Sequence, residues 1–342
     1  MAHYKLAFLG FGNVGQALAV LLLRKKQELK EQYDITFTVT GIATARHGKI
    51  VNLAGLDLNG AVQLVRTGNN LNLMTKTLTF DTPDFIMKCG ADVLFENSPV
   101  NHTNGQPAVQ YIQTALDCGM HVITANKGPV VHAHQALTDQ AARLGKKFLF
   151  ESTVMDGAPI FSLFRESLPA ARLKAFRGIL NSTTNLILGR MEKGESYEQA
   201  VKHAQSIGIA ETDPSSDVDG WDAAIKVAAL ITVLMGIPFK PQQVERTGIR
   251  ELSADKIAAA KAQGKRWKLV CKAWREGETV RGRVAPELVA PDSPLFSVNG
   301  ASSIVEFETD TLSRLAIVEN DPGPDTTAYG LLADFINAVR AR

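Results

Sequence analysis

Five carboxylates fall within twelve residues, Glu211, Asp213, Asp217, Asp219 and Asp222, and Lys226 follows four positions after the last of them. At that separation Asp222 and Lys226 share one face of a helix and can pair. The same helix continues with Val227, Leu230, Ile231 and Leu234, an apolar set that favours burial. A lysine buried there must be paired or must hold its proton less tightly than in water, which is what a general acid near neutral pH requires. A structural i,i+4 ion pair meets the same spacing. The acids upstream tip the balance toward chemistry, because a solvated turn does not need so many carboxylates beside an apolar helix.

A second constellation lies at the other end. Gly10-Phe11-Gly12-Asn13-Val14-Gly15 follows an apolar run and opens a helical pattern, the context in which G-x-G-x-x-G signals dinucleotide binding. The first glycine permits a tight turn, the second lets backbone N–H groups approach a pyrophosphate, and the third lets helix and strand pack closely. The phosphates then sit at a helix amino terminus, where free N–H groups and the helix dipole favour anions. The second strand runs out through Thr44-Ala45-Arg46-His47 with no acid to hold a ribose 2′-hydroxyl. Arg46 suits a 2′-phosphate instead, so NADP(H) is favoured over NAD(H). Other candidates carry less. His132 and His134 are two apart and would not face one metal on a helix, so they read as solvated or capping residues. Ser152 and the cysteines Cys89, Cys118 and Cys271 lack the partners of a nucleophilic site, and no C-x-x-C pair suggests zinc.

The elements that must position these groups follow an α/β pattern. Short apolar runs at 5–9, 35–43, 93–96, 121–124 and 147–151 read as strands, and 15–32, 106–118 and 133–144 read as helices. Parallel strands with crossover helices are the economical reading, a Rossmann-type doubly wound parallel sheet. Beyond 151, helices are expected at 159–168, 196–207 and 221–235, and strands at 175–180, 279–284 and 303–309. The lysine-rich stretch 256–272 reads as a solvated helix face, and 314–318 and 327–339 as a last strand and helix. The domain expectation is a nucleotide domain from 1–135 plus 312–342 and a second α/β domain with a mixed sheet over 136–311. At 342 residues the chain is long enough for two domains without disulfide staples. Thirty-seven basic against thirty-five acidic residues leave no field to attract nucleic acid or a membrane surface. With no apolar run of spanning length and three unpaired-looking cysteines, a cytoplasmic protein is expected.

The segment from Gly208 to Lys226 resembles the signature of homoserine dehydrogenases, G-Y-A-E-x-D-P-x-x-D-v-x-G-x-D-a-x-x-K, with Ile209 in place of the usual aromatic. Asn181-Ser182-Thr183-Thr184-Asn185 resembles the family's N-G-T-T-N turn, with Ser182 for the glycine. Thr124-Ala125-Asn126-Lys127, Glu151-Ser152-Thr153-Val154 and the stretch from Asp310 to Asp334 resemble further family segments in the same order. The resemblance implies NAD(P)-dependent interconversion of L-aspartate 4-semialdehyde and L-homoserine, on the branch toward threonine, methionine and isoleucine. It implies Lys226 as acid/base, Asp222 beside it at the substrate hydroxyl, and Lys127 near the nicotinamide and reacting carbon. It also implies Glu211, Thr183 and Asp217 at the substrate, and Asn97, Ser98, Gly208 and Gly323 at the cofactor. Backbone carbonyls of Glu151, Val154, Asp156 and Ala158 would hold a monovalent cation, usually sodium, and the second domain would form a homodimer. Feedback-regulated members often carry an added C-terminal domain. With no room for one after Asp334, no threonine inhibition through such a module is expected. Two other readings are an NADP-dependent dehydrogenase of a related hydroxy amino acid and a non-catalytic NADP(H) redox sensor.

Overall fold

The computed structural model describes residues 1–75, 77 and 79–340. The chain forms two compact units, Met1–Pro159 with Gly323–Arg342, and Ile160–Pro322.

The first unit is built on β1 (Ala2–Leu9), α1 (Asn13–Tyr33), β2 (Ile35–Ala43), β3 (Lys49–Val51), α2 (Leu58–Arg66), α3 (Thr82–Lys88), β4 (Val93–Glu96), α4 (Ala108–Asp117), β5 (His121–Thr124), α5 (Lys127–Arg143) and β6 (Phe148–Leu149). Its sheet runs β3-β2-β1-β4-β5-β6. The pairs β1–β2, β1–β4, β4–β5 and β5–β6 are parallel, and the short edge strand β3 is antiparallel to β2. Parallel strands covered on both faces read as continuous apolar runs, and β4 is buried at all four positions. Phe8 and Phe95 pack at 5.3 Å between ring centroids, and Phe95 meets Phe335 of the C-terminal helix Pro324–Val339 at 6.0 Å. That helix also packs along α1, so the last described element completes the first-made sheet.

The second unit contains β7 (Leu173–Ile179), α6 (Ser182–Met191), α7 (Tyr197–Ser206), α8 (Ser215–Val218), α9 (Trp221–Leu234), β8 (Glu245–Arg246), α10 (Ala254–Ala262), β9 (Arg266–Glu276), β10 (Thr279–Val289), β11 (Ser303–Thr309) and β12 (Leu315–Glu319). The sheet order is β12-β11-β7-β9-β10-β8, antiparallel except for β8 beside β10, so the sheet is mixed. α9 lies close against it. A side chain at Gly282 would come within 3.1–3.3 Å of Ile231, Val227 and Phe239.

Several local expectations are corrected. The stretch 256–272 is not one solvated helix: α10 ends before Gly264, at φ +67°, and β9 then runs through the middle of the sheet. Pairing with β7 and β10 overrides the local pattern there, and Lys268 is buried at 1% exposure. The helix expected at 133–144 begins earlier, at Lys127, with a kink at Ala133. The strand expected at 147–151 shrinks to two residues because Glu151–Thr153 turns tightly, and the helix expected at 159–168 runs over 161–167, widening into a π turn at Leu163–Ser167.

Candidate active site

In the first unit, a groove of about 1010 Å³ opens where α1 begins. Gly10, Phe11, Gly12, Asn13, Arg46 and Asn97 line it, so six of the expected cofactor residues come together. Gly10 sits at φ +96°, and a side chain on it would collide with the Asn97 carbonyl. Only glycine meets both demands. At Gly12 nothing lies within 4 Å of where a side chain would begin, and Gly12 gives α1 no side-chain cap. The first-turn N–H groups are therefore left for an anion. Gly15 abuts the Gly10 carbonyl, at 2.6 Å from an ideal Cβ, and Val14 packs on the core; both hold helix to strand. The two polar side-chain atoms of Asn97 are buried without hydrogen-bond partners, which fits a residue awaiting a ligand.

Three further lining residues escaped the sequence reading: Arg66, Pro324 and Asp325. Arg66, the last residue of α2, reaches the groove and donates from Nε to Gln16 at 3.3 Å. Pro324 and Asp325 bring in the start of the C-terminal helix, directly after Gly323. The signal for Arg66 was a basic residue closing the amphipathic helix after the second strand.

Ser98 and Lys127 are positioned by a buried carboxylate. Glu96, at the end of β4, accepts the Ser98 N–H at 2.9 Å, the Ser98 hydroxyl, and the Thr124 hydroxyl at 2.7 Å. Burial raises the Glu96 acid above its ordinary range, against the pull of those donors. Asn126 caps α5 by accepting the Gly128 N–H and donates to the Ser98 carbonyl at 3.2 Å, which fixes Lys127 on the first turn. Nearby, Met155 and Asp156 both lie in the left-handed region, at φ +54° and +48°. His132 and His134 are neither capping nor freely solvated: His132 bonds the His102 carbonyl and His134 packs edge-on against Phe150.

The second unit assembles the acid–lysine cluster. Lys226 Nζ lies 2.9 Å from Asp222 Oδ2 and donates to the Leu180 carbonyl at 2.7 Å. The two side chains are 16% and 18% exposed, so the pair is largely out of water. Asp217 on α8 joins it through Asn181, which donates to both Asp217 and Asp222. Burial, and after it the Asp222 charge, push the Asp217 acid up, while the Asn181 amide, Lys226 and Thr183 pull it down. Thr183 also donates to the Ile209 carbonyl at 3.2 Å. Asp219 is turned away, held by Arg250. Glu211 is exposed, its backbone carbonyl accepting from Gln205, and Gly208 ends α7 at φ +75°. A paired ammonium beside a carboxylate at partial burial can give and take a proton at an adjacent oxygen.

Comparison with known proteins agrees with both halves. The family model for the homoserine dehydrogenase NAD-binding domain matches residues 10–151, and that for homoserine dehydrogenase matches 159–336. An NAD(+)-dependent homoserine dehydrogenase of Pseudomonas canavaninivorans is 35% identical over 98% of this chain and 96% of its own. A crystal structure assigned as a homoserine dehydrogenase of Archaeoglobus fulgidus is 32% identical and superposes with a TM-score of 0.87, covering 98% of this chain and 99% of the other. A hyperthermophilic archaeal homoserine dehydrogenase solved in complex with NADPH is 28% identical, with a TM-score of 0.83 and 98% of each chain covered. Glycine turn, parallel sheet, half-buried acid–lysine pair and end-to-end relatives together place the chain in the homoserine dehydrogenase family, the NAD(P)-dependent oxidoreductases that act on a CH–OH group.

Proposed function

We propose that Lys226 is the acid/base of the reaction, protonating the aldehyde oxygen as C4 of aspartate semialdehyde is reduced and taking the proton back in the reverse direction. The observation that carries this is the half-buried Asp222–Lys226 pair, anchored to the Leu180 carbonyl. Asp222 keeps the ammonium aimed and accepts from the substrate hydroxyl. After proton transfer the neutral amine regains its proton from solvent. Asp217, Thr183 and Glu211 hold the amino-acid end of the substrate, a carboxylate being the natural partner of its ammonium. The bound nicotinamide supplies the hydride, or accepts it in reverse. Lys127 acts beside the nicotinamide and reacting carbon, where a cation favours developing oxyanion charge.

The backbone from Gly10 to Gly15 takes the pyrophosphate, with Asn97, Ser98, Gly208 and Gly323 completing the cofactor contacts. NADP(H) is preferred over NAD(H), supported by Arg46 and Arg66 on one groove with no acid at the end of β2. The carbonyls of Glu151, Val154, Asp156 and Ala158 hold a monovalent cation, supported by the strained backbone at Met155–Asp156 and the buried Asp334 carboxylate that accepts the Glu151 N–H at 2.7 Å. The chain works as a homodimer in the cytoplasm. The sheet face opposite α9, where Arg177, Lys272, Trp274 and Glu306 line a shallow groove, is the candidate surface, and sedimentation at assay concentration reads the mass.

The deciding experiment is steady-state NADPH oxidation with aspartate semialdehyde, repeated with NADH. Lys226→Ala lowers turnover by about 100-fold or more, the usual scale for a lost acid/base group. A near-normal rate in that variant removes Lys226 from the chemistry.

A further inference from the structure

Two consecutive residues at the end of β7 grip both halves of the acid–lysine pair. The Leu180 carbonyl takes the Lys226 ammonium at 2.7 Å. The next residue, Asn181, is 3% exposed and divides its side chain between two tasks. Its Oδ1 caps α6, accepting the Thr184 N–H at 2.8 Å and the Thr184 hydroxyl at 2.8 Å. Because a backbone N–H can only donate, the amide oxygen must face Thr184 and the NH2 must face the other way. That NH2 donates one bond to Asp217 Oδ1 at 2.6 Å and another to Asp222 Oδ2 at 3.0 Å.

We propose that Asn181 is a positioning residue for catalysis: one amide, locked by the α6 cap, separates the Asp217 and Asp222 carboxylates and keeps Asp222 turned toward Lys226. Two half-buried carboxylates without a donor between them would share a proton, as like charges at close range do. A proton lodged on Asp222 would weaken its hold on the ammonium. The cap itself makes the amide rigid, so the arrangement exists before substrate arrives. The other titratable groups facing the pair are Lys226 on α9 and the buried Cys271 thiol on β9, which burial pushes up to about 12. Asp219 is already engaged by Arg250.

This inference rests on the reading of Lys226 and Asp222 given above. Its test uses Asn181→Ser, which retains a good N-cap but loses both N–H donors, and Asn181→Asp, which keeps the amide's shape and cap oxygen but turns a third oxygen on the carboxylates. Profiles of kcat/KM for aspartate semialdehyde against pH are recorded beside NADPH binding, melting temperature and the Lys226→Ala control. Removing a donor raises the carboxylate pKa, so the acid limb in Asn181→Ser moves up by about one pH unit. Its neutral-pH kcat/KM falls about tenfold or more and partly recovers in base, while NADPH affinity is unchanged. Asn181→Asp shows the larger displacement. Should one variant fail to fold, the other decides. An unmoved limb with losses that follow melting temperature alone, alongside an inactive Lys226→Ala, overturns the role of Asn181 and leaves the acid/base assignment standing. An active Lys226→Ala overturns both.

Discussion

At the scale of single residues, chemistry was legible where spacing alone fixes proximity. Asp222 and Lys226 lie one helical turn apart, and the structure joins them at 2.9 Å. Residues that act across sequence distance were not legible: Asn181 lies 41 positions before Asp222, and Arg66 lines the same groove as Arg46 from a different element, α2. The two arginines together carry a prediction. Arg46→Ala and Arg66→Ala each raise KM for NADPH by about tenfold, the worth of one lost charge-assisted contact, and leave KM for NADH nearly unchanged. Equal losses with both cofactors would show that neither arginine reads the 2′-phosphate.

At the scale of elements, strands and helices with strong internal pattern were legible and those set by pairing were not. β1, β2, β4, β5 and α9 follow from apolar runs and helical spacing, whereas β3 and β8, three and two residues long, exist only because a neighbour supplies hydrogen bonds. The segment over 256–272 misled because Lys268 and Lys272 suggest solvent, yet β9 occupies the middle of a sheet. The turn between Glu151 and Ala158 was legible as a feature but not as a conformation. Its two left-handed non-glycine residues cost about 1–3 kcal/mol each unless something over-determines them. If sodium is that agent, replacing choline chloride by sodium chloride at constant ionic strength raises the melting temperature by several degrees. Identical melting curves in the two salts would rule the cation site out.

At the scale of the whole molecule, a buried lysine couples folding to pH. Lys268 donates to Asn185 Oδ1 at 2.8 Å and to the Val298 carbonyl at 2.6 Å, and burial pushes its ammonium down from 10.5 to about 7. Between those values the unfolded chain holds a proton that the folded one has released, so stability rises with pH across that window and is insensitive to this group below it. Denaturant titrations should show the parent chain gaining on Lys268→Met as pH increases from 7 to 9, with a nearly constant difference below about pH 6. A difference that shrinks with rising pH would reverse the sign of the argument.

The C-terminal helix packs along α1 in a unit whose sheet is finished by residue 149, yet the whole of residues 160–322 intervenes. A ribosome adding roughly 5–20 residues per second therefore exposes an unfinished Rossmann layer for on the order of ten seconds. The intervening unit can settle while its elder neighbour still waits for Leu331 and Phe335. Birth order and maturation order run opposite ways in this polypeptide, which makes the exposed flank of α1 the place where a nascent-chain chaperone would have the most to cover.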